Sequence, residues 1–306
     1  MSAPCATEPT VSELLAEAEW TRRRDLHRQR VSSLLGSYLD RRHHGRAHPV
    51  IDFLFTYYTL RPGHLARWHP GFGVGLSERG AEAYARLSGY CCAGGAVTVD
   101  REVLLRRREA IEFVVRLLEA TADRSAQFGC FGLHEWAMVY RATSDDVRHR
   151  GVSLRLGAVG TDAVVESMPL RCTHFDAFRF FTDPARLRNF AQLTREGQPA
   201  AEQPGCLHAA MDLYKWSGKL LPLLDSEIVM DAFELAYAAR ELDMRASPYD
   251  LRDFGYEPLK IETPSGRAEY VRQQAVIADR AAPVRQALLE RCGRLLAATR
   301  DGEEPR

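Results

Sequence analysis

The chain has 306 residues, 45% hydrophobic and 27% charged, enough to bury one large core or two modest ones. Its 41 Lys and Arg balance 41 Asp and Glu, so no net field favours a polyanion, which weighs against a protein held to nucleic acid mainly through phosphates. No apolar run approaches about twenty residues, the first residues lack the basic and apolar regions of a signal peptide, and seven cysteines without a C-x-x-C pair make no disulfide or zinc framework. A reduced, cytoplasmic protein with no membrane contact is the expectation.

Residues 1–10 read as a disordered lead, and 11–300 as a single compact domain. The spacing of Leu15, Ala18, Leu26, Val31, Leu34 and Leu35 predicts a first helix capped by Ser12. "HPVIDFLFTYYTL" predicts a buried helix after Pro49, followed by a Pro/Gly loop carrying His64, Trp68 and His69. A hairpin is expected around Gly94-Gly95, then a long helix over 101–122 and a second buried helical segment in "FGLHEWAMVYRA". "VSLRLGAVGTDAVVES" alternates and turns at Gly160, which predicts another hairpin, with "RCTHFDAFRFF" as a companion strand. After a polar loop, three helices close the chain, the last interrupted at Pro283. The fold class predicted is α+β, predominantly helical, with a small antiparallel sheet near the middle of the chain.

Chemistry concentrates on histidines with charged neighbours: His134 beside Glu135, His149 between Arg148 and Arg150, His174 two before Asp176, and His208 four before Asp212. On a strand, His174 and Asp176 would share a face; on a helix, so would His208 and Asp212. A His-x-Asp plus a distant His is one way to build a two-His, one-carboxylate Fe(II) site, so His174, Asp176 and His208, with His134 as a further ligand, form one candidate metal set. The same groups would also serve as acid and base without a metal. A buried His–Asp pair or an i,i+4 helix pair accounts for the same residues structurally, and that alternative stays open. "ELDMRASPYDL" reads either as a salt-bridged helix end or as a polar wall for a substrate. P-loop, HExxH and GxSxG motifs are missing from the sequence, and its "GFGVGLSERG" lacks the strand–turn–helix context of a dinucleotide site.

Taken together, "FGLHEWAMVYR", "RCTHFDAFRFF", "EQPGCLHAAMDLYKW" and "ELDMRASPYDL" resemble a bacterial, mainly actinobacterial, family labelled 3-methyladenine DNA glycosylase. The chain carries neither the helix-hairpin-helix nor the zinc spacing of established glycosylases. The resemblance implies an alkylpurine N-glycosylase of DNA repair that needs no cofactor and acts on alkylated DNA. A carboxylate would stabilise the oxocarbenium ion, and aromatic rings would stack on the flipped base. On that expectation Asp176 or Asp212 is the catalytic carboxylate, with His174 or His208 as its partner. Trp136, Trp216, Tyr214, Arg245 and Tyr249 are the candidate substrate-binding residues. Two other readings stand beside it: a non-haem Fe(II) oxidase or oxygenase on a small molecule, and a non-catalytic binding protein.

Overall fold

The computed structural model describes residues 11–58, 60–77, 80–142 and 152–300. The proposed lead over 1–10 and His149 lie outside them. Strand β1 (Glu13–Leu15) opens the chain and helix α1 (Glu17–His43) follows at once. Ser12 does not cap that helix: its hydroxyl donates to the Gly73 carbonyl at 3.0 Å, tying β1 to the loop before β2, and Ala16 takes the capping position. One-turn helices α2 (Asp52–Thr56) and α3 (Pro62–Leu65) come next, the second begun by a proline that needs no N–H partner there. Then come β2 (Val74–Ser77), α4 (Glu82–Ala85), β3 (Tyr90–Ala93) and β4 (Ala96–Val99).

The four strands run in the order β1-β2-β4-β3. Gly94 and Gly95 both take positive φ, 57° and 81°, so a two-residue turn closes the β3–β4 hairpin where the sequence predicted it. The sheet lies in the first third of the chain, and it is mixed, because β1 pairs parallel with β2.

Helix α5 (Arg101–Ala122) starts where Asp100 accepts the Glu102 N–H at 2.9 Å, and its apolar stripe is buried as expected. The segment that follows is a shorter helix than expected, α6 (Leu133–Ala137). The predicted hairpin over 152–167 is instead helix α7 (Gly157–Ser167), which buries Thr161, Val164 and Val165 at helical spacing. Nor is 171–181 a strand: His174 is extended and caps the single turn α8 (Phe175–Phe178). The polar loop holds α9 (Asp183–Arg186) and α10 (Gln198–Ala201).

The C-terminal half supplies α11 (Leu207–Lys219), α12 (Ser226–Ala246) and α13 (Pro264–Arg300). Helix α13 passes through Pro283 without a break, since both Pro283 and Asp279, whose carbonyl loses its partner there, face solvent. Helices α11 and α12 pack along their lengths, and α13 lies against α5, α12 and α11. One hydrophobic cluster runs from Leu15 to Leu295. The described chain is 59% helical, an α+β fold dominated by helix. None of its described helices is long and apolar enough to cross a membrane. Cys91 is in a disulfide, against the all-thiol expectation, while Cys92, Cys130, Cys172, Cys206 and Cys292 keep their thiols.

Candidate metal centre

Helix α11 is buried almost all round, yet it carries His208, Asp212 and Lys215 inward. Spacings of four and three place them on one face. Arg240 and Asp243, three apart on α12, form a second polar stripe, 1% and 0% exposed. From the other side come His134 and Glu135 on α6, His174 and Asp176 at the start of α8, and Glu202 just after α10, all buried. Such a concentration of ionisable groups in a core costs stability unless each is compensated.

Two sets of three converge. Ligand atoms of His134, His208 and Asp243 lie within 4.8 Å of one another, and so do those of His174, Glu202 and Asp212. In the first set, His134 Nε2 is 2.6 Å from Asp243 Oδ1, and its Nδ1 is 3.4 Å from Cys130 Sγ. In the second, His174 Nε2 is 3.3 Å from Asp212 Oδ2 and 3.5 Å from Glu202 Oε2. The sets adjoin through His208, whose ring stacks on His174 at 5.2 Å and meets His134 edge-on at 4.5 Å. Among the described residues His208 Nδ1, His174 Nδ1 and Asp212 Oδ1 are buried without a hydrogen-bond partner. Each such orphan costs about 1–3 kcal/mol.

Two permanent cations brace the cluster. Arg240 Nη1 donates to Glu135 at 2.7 Å and to Asp243 at 2.9 Å. Lys215 Nζ donates to Asp176 and Asp212, each at 2.6 Å. Burial is the largest influence on the pKa of His134, His174, His208, Asp212 and Glu202. At His134 it is outweighed by the Asp243 carboxylate, which holds the imidazole pKa well above its ordinary value; Asp212 does the same, less strongly, for His174. His208 has no such partner, so burial and its two histidine neighbours push it far down, leaving a neutral imidazole fit to be a ligand. Lys215 and then His174 overcome burial at Asp212 and keep it ionised, whereas burial prevails at Glu202 and raises it.

A cavity of about 60 Å³ opens beside the first set, lined by Phe53, Tyr57, Met138 and Phe180 with Glu135, Asp176, His208 and Arg240. It has room for about four waters. A smaller void of about 10 Å³ touches His134 and His208 from the opposite side, next to Cys130, Cys172 and Cys206.

No protein-family model, curated protein or solved structure matches this chain. The resemblance to the glycosylase family therefore rests on the four sequence stretches alone.

The expected metal trio is divided. His208 belongs to the first set and His174 to the second, while Asp176 bonds Lys215 and lies 3.2 Å from Arg179. The reason is local: α8 is a helical turn rather than a strand, and there Asp176 turns to Lys215 and Arg179 while His174 faces Asp212 and Glu202. His134, the further ligand, does join His208. Asp243 and Glu202 were missed. Asp243 sits in a stretch that reads as a salt-bridged helix end or a polar wall, and Glu202 in one that reads as a loop.

None of the five expected substrate-binding residues lines the 60 Å³ cavity. Trp136 is fully buried and donates its indole N–H to the Ala246 carbonyl at 2.8 Å. Tyr214 packs on Tyr58 and Phe233. Trp216 lies under Lys215 and Lys219, and Tyr249 is a core residue. Arg245 reaches the Glu257 carbonyl and Gln273.

Proposed function

We propose that the chain is a metal-dependent enzyme of the non-haem Fe(II) type acting on a small molecule, with His134, His208 and Asp243 as ligands. One observation carries the reading: two imidazoles and one carboxylate converge within 4.8 Å, buried, beside a cavity with an aromatic wall. Two nitrogens and an oxygen without thiolate suit iron, and also manganese or zinc. The bound ion would supply Lewis-acid or redox chemistry with positions left open for substrate. The chain's own part is orientation and exclusion of water. Arg240 fixes the Asp243 carboxylate from behind, and Cys130 lies against the far nitrogen of His134. Phe53, Tyr57, Met138 and Phe180 give the substrate an apolar wall.

The glycosylase reading draws support from the sequence resemblance only. Its carboxylates, Asp176 and Asp212, share Lys215.

The test is metal analysis of the full chain, purified without chelator and reconstituted anaerobically with Fe(II). Wild type is expected to retain iron through desalting, and Asp243→Asn at least one iron fewer per chain. Wild-type protein holding no iron, manganese or zinc above trace levels would remove the proposal. A low-salt gel shift with alkylated duplex DNA is expected to show no complex; a specific complex would favour the glycosylase instead.

A further inference from the structure

We infer that the centre is dinuclear: His174, Glu202 and Asp212 hold a second divalent metal ion next to the one at His134, His208 and Asp243. The inference rests on the metal-dependent reading above and extends it to a site built from different residues. Four features carry it.

First, the donors are assembled already. His174 Nε2 faces both carboxylates, at 3.3 Å to Asp212 and 3.5 Å to Glu202, and all three side chains are no more than 2% exposed. Second, they are not satisfied by one another. Asp212 Oδ1 makes no hydrogen bond of normal length among the described residues, although Asp212 is 1% exposed; the Tyr58 hydroxyl beside it is likewise without one. An ionised carboxylate with a bare oxygen in a core is the arrangement that a cation resolves.

Third, the two sets are neighbours by construction. His208 and Asp212 are one helical turn apart on the same face of α11, and each belongs to a different set. The stack of His208 on His174 at 5.2 Å joins them. Fourth, the buried carboxylates of the cluster outnumber the permanent cations that brace it. Glu135, Asp176, Glu202, Asp212 and Asp243 bring five buried carboxylates, while Lys215 and Arg240 are the buried permanent cations bonded to them. Glu135 and Asp176 pair with those two, and what faces the three carboxylates of the metal sets is imidazole, from His134 and His174, which can serve as a ligand.

The two sets also differ in character. Two imidazoles and one carboxylate form the first; one imidazole and two carboxylates form the second. The second is the more oxygen-rich and therefore the harder site, suited to Fe(II) or Mn(II) over softer ions. Two adjacent ions, held by these six residues, would supply Lewis-acid or redox chemistry beyond that of one.

The experiment loads the full-length chain with Fe(II) anaerobically, removes free metal, and counts iron per chain. Two are expected for wild type and one for Glu202→Gln. A parallel sample loaded with Mn(II) is expected to show an exchange-coupled electron paramagnetic resonance signal instead of two isolated six-line spectra. One iron in wild type overturns the dinuclear inference while leaving the proposed function standing, and none overturns both. Two irons in Glu202→Gln, or two uncoupled Mn(II) signals in wild type, also overturn the inference. Because the count and the spectrum are read on wild type, the outcome does not depend on Glu202→Gln folding.

Discussion

Arg240 offers the sharpest test of how the polar core is held. Its guanidinium is 1% exposed, donates to Glu135 at 2.7 Å and Asp243 at 2.9 Å, and lies 4.1 Å from the centre of the Phe53 ring. Replacing it by methionine keeps most of the volume but leaves two buried carboxylates without their cation, which costs about 3–5 kcal/mol. Against that, Arg240 Nε is itself an orphan, and removing it returns about 1 kcal/mol. The net expectation for Arg240→Met is a loss of about 2–4 kcal/mol. At roughly 2 °C per kcal/mol for a chain of this size, that is a fall of about 4–8 °C in melting temperature by calorimetry at pH 7. Adding Glu135→Gln removes one stranded charge, so the double variant should recover about 1–3 kcal/mol of the summed single losses. If Arg240→Met melts within about 1 °C of wild type, the guanidinium is not compensating these carboxylates and the reasoning fails.

Asp176→Asn should leave the iron content unchanged, because Asp176 belongs to the Lys215 pair and to neither metal set. A fall in bound iron would return Asp176 to the ligand sphere, where the sequence had placed it. His69 gives the pH dependence away from the centre. Burial lowers its pKa to about 4, against about 6.5 in the unfolded chain, and its Nδ1 accepts the Tyr90 hydroxyl at 2.8 Å. Between those values the unfolded chain binds the extra proton, so stability falls as pH drops from about 6.5 towards 4, by at most about 3 kcal/mol. His69→Gln should flatten that part of the melting-temperature profile; an unchanged slope would assign the acid sensitivity elsewhere.

What the sequence made legible follows from the range of the interactions involved. Helix α5, the Gly94-Gly95 turn and the three C-terminal helices are specified locally, by caps, periodic apolar residues and glycines with positive φ. The 152–167 segment was misread because Val152, Leu154 and Leu156 alternate, and three more valines favour a strand. Yet Thr161, Val164 and Val165 already carried the i, i+3, i+4 pattern that packing rewards. In the site, His174, His208 and Asp212 were legible as polar residues in apolar surroundings. Their grouping was not. Asp243 is 35 residues beyond His208, and Glu202 lies 28 beyond His174; only the packing of α11 on α12 and the return of the 198–206 segment bring them in. A His-x-Asp pair read as a strand fixed attention on the one carboxylate that a lysine had already claimed.

That lysine tests whether the inward face of α11 is a site or only a salt-bridged core. Lys215 is 10% exposed at its side chain and holds Asp176 and Asp212 at 2.6 Å each. Lys215→Met strands both carboxylates, although Arg179 remains at Asp176 and His174 at Asp212. The expected cost is about 3 kcal/mol, at the lower end for breaking a buried pair. Pairing it with Asp176→Leu replaces one whole ion pair by apolar groups, a change that is often neutral or stabilising. The double variant should therefore melt above Lys215→Met alone. It should also bind less iron than wild type, because Asp212 then loses the charge that keeps it ionised. Recovered stability together with undiminished iron would mean that the lysine serves the fold and not the metal set.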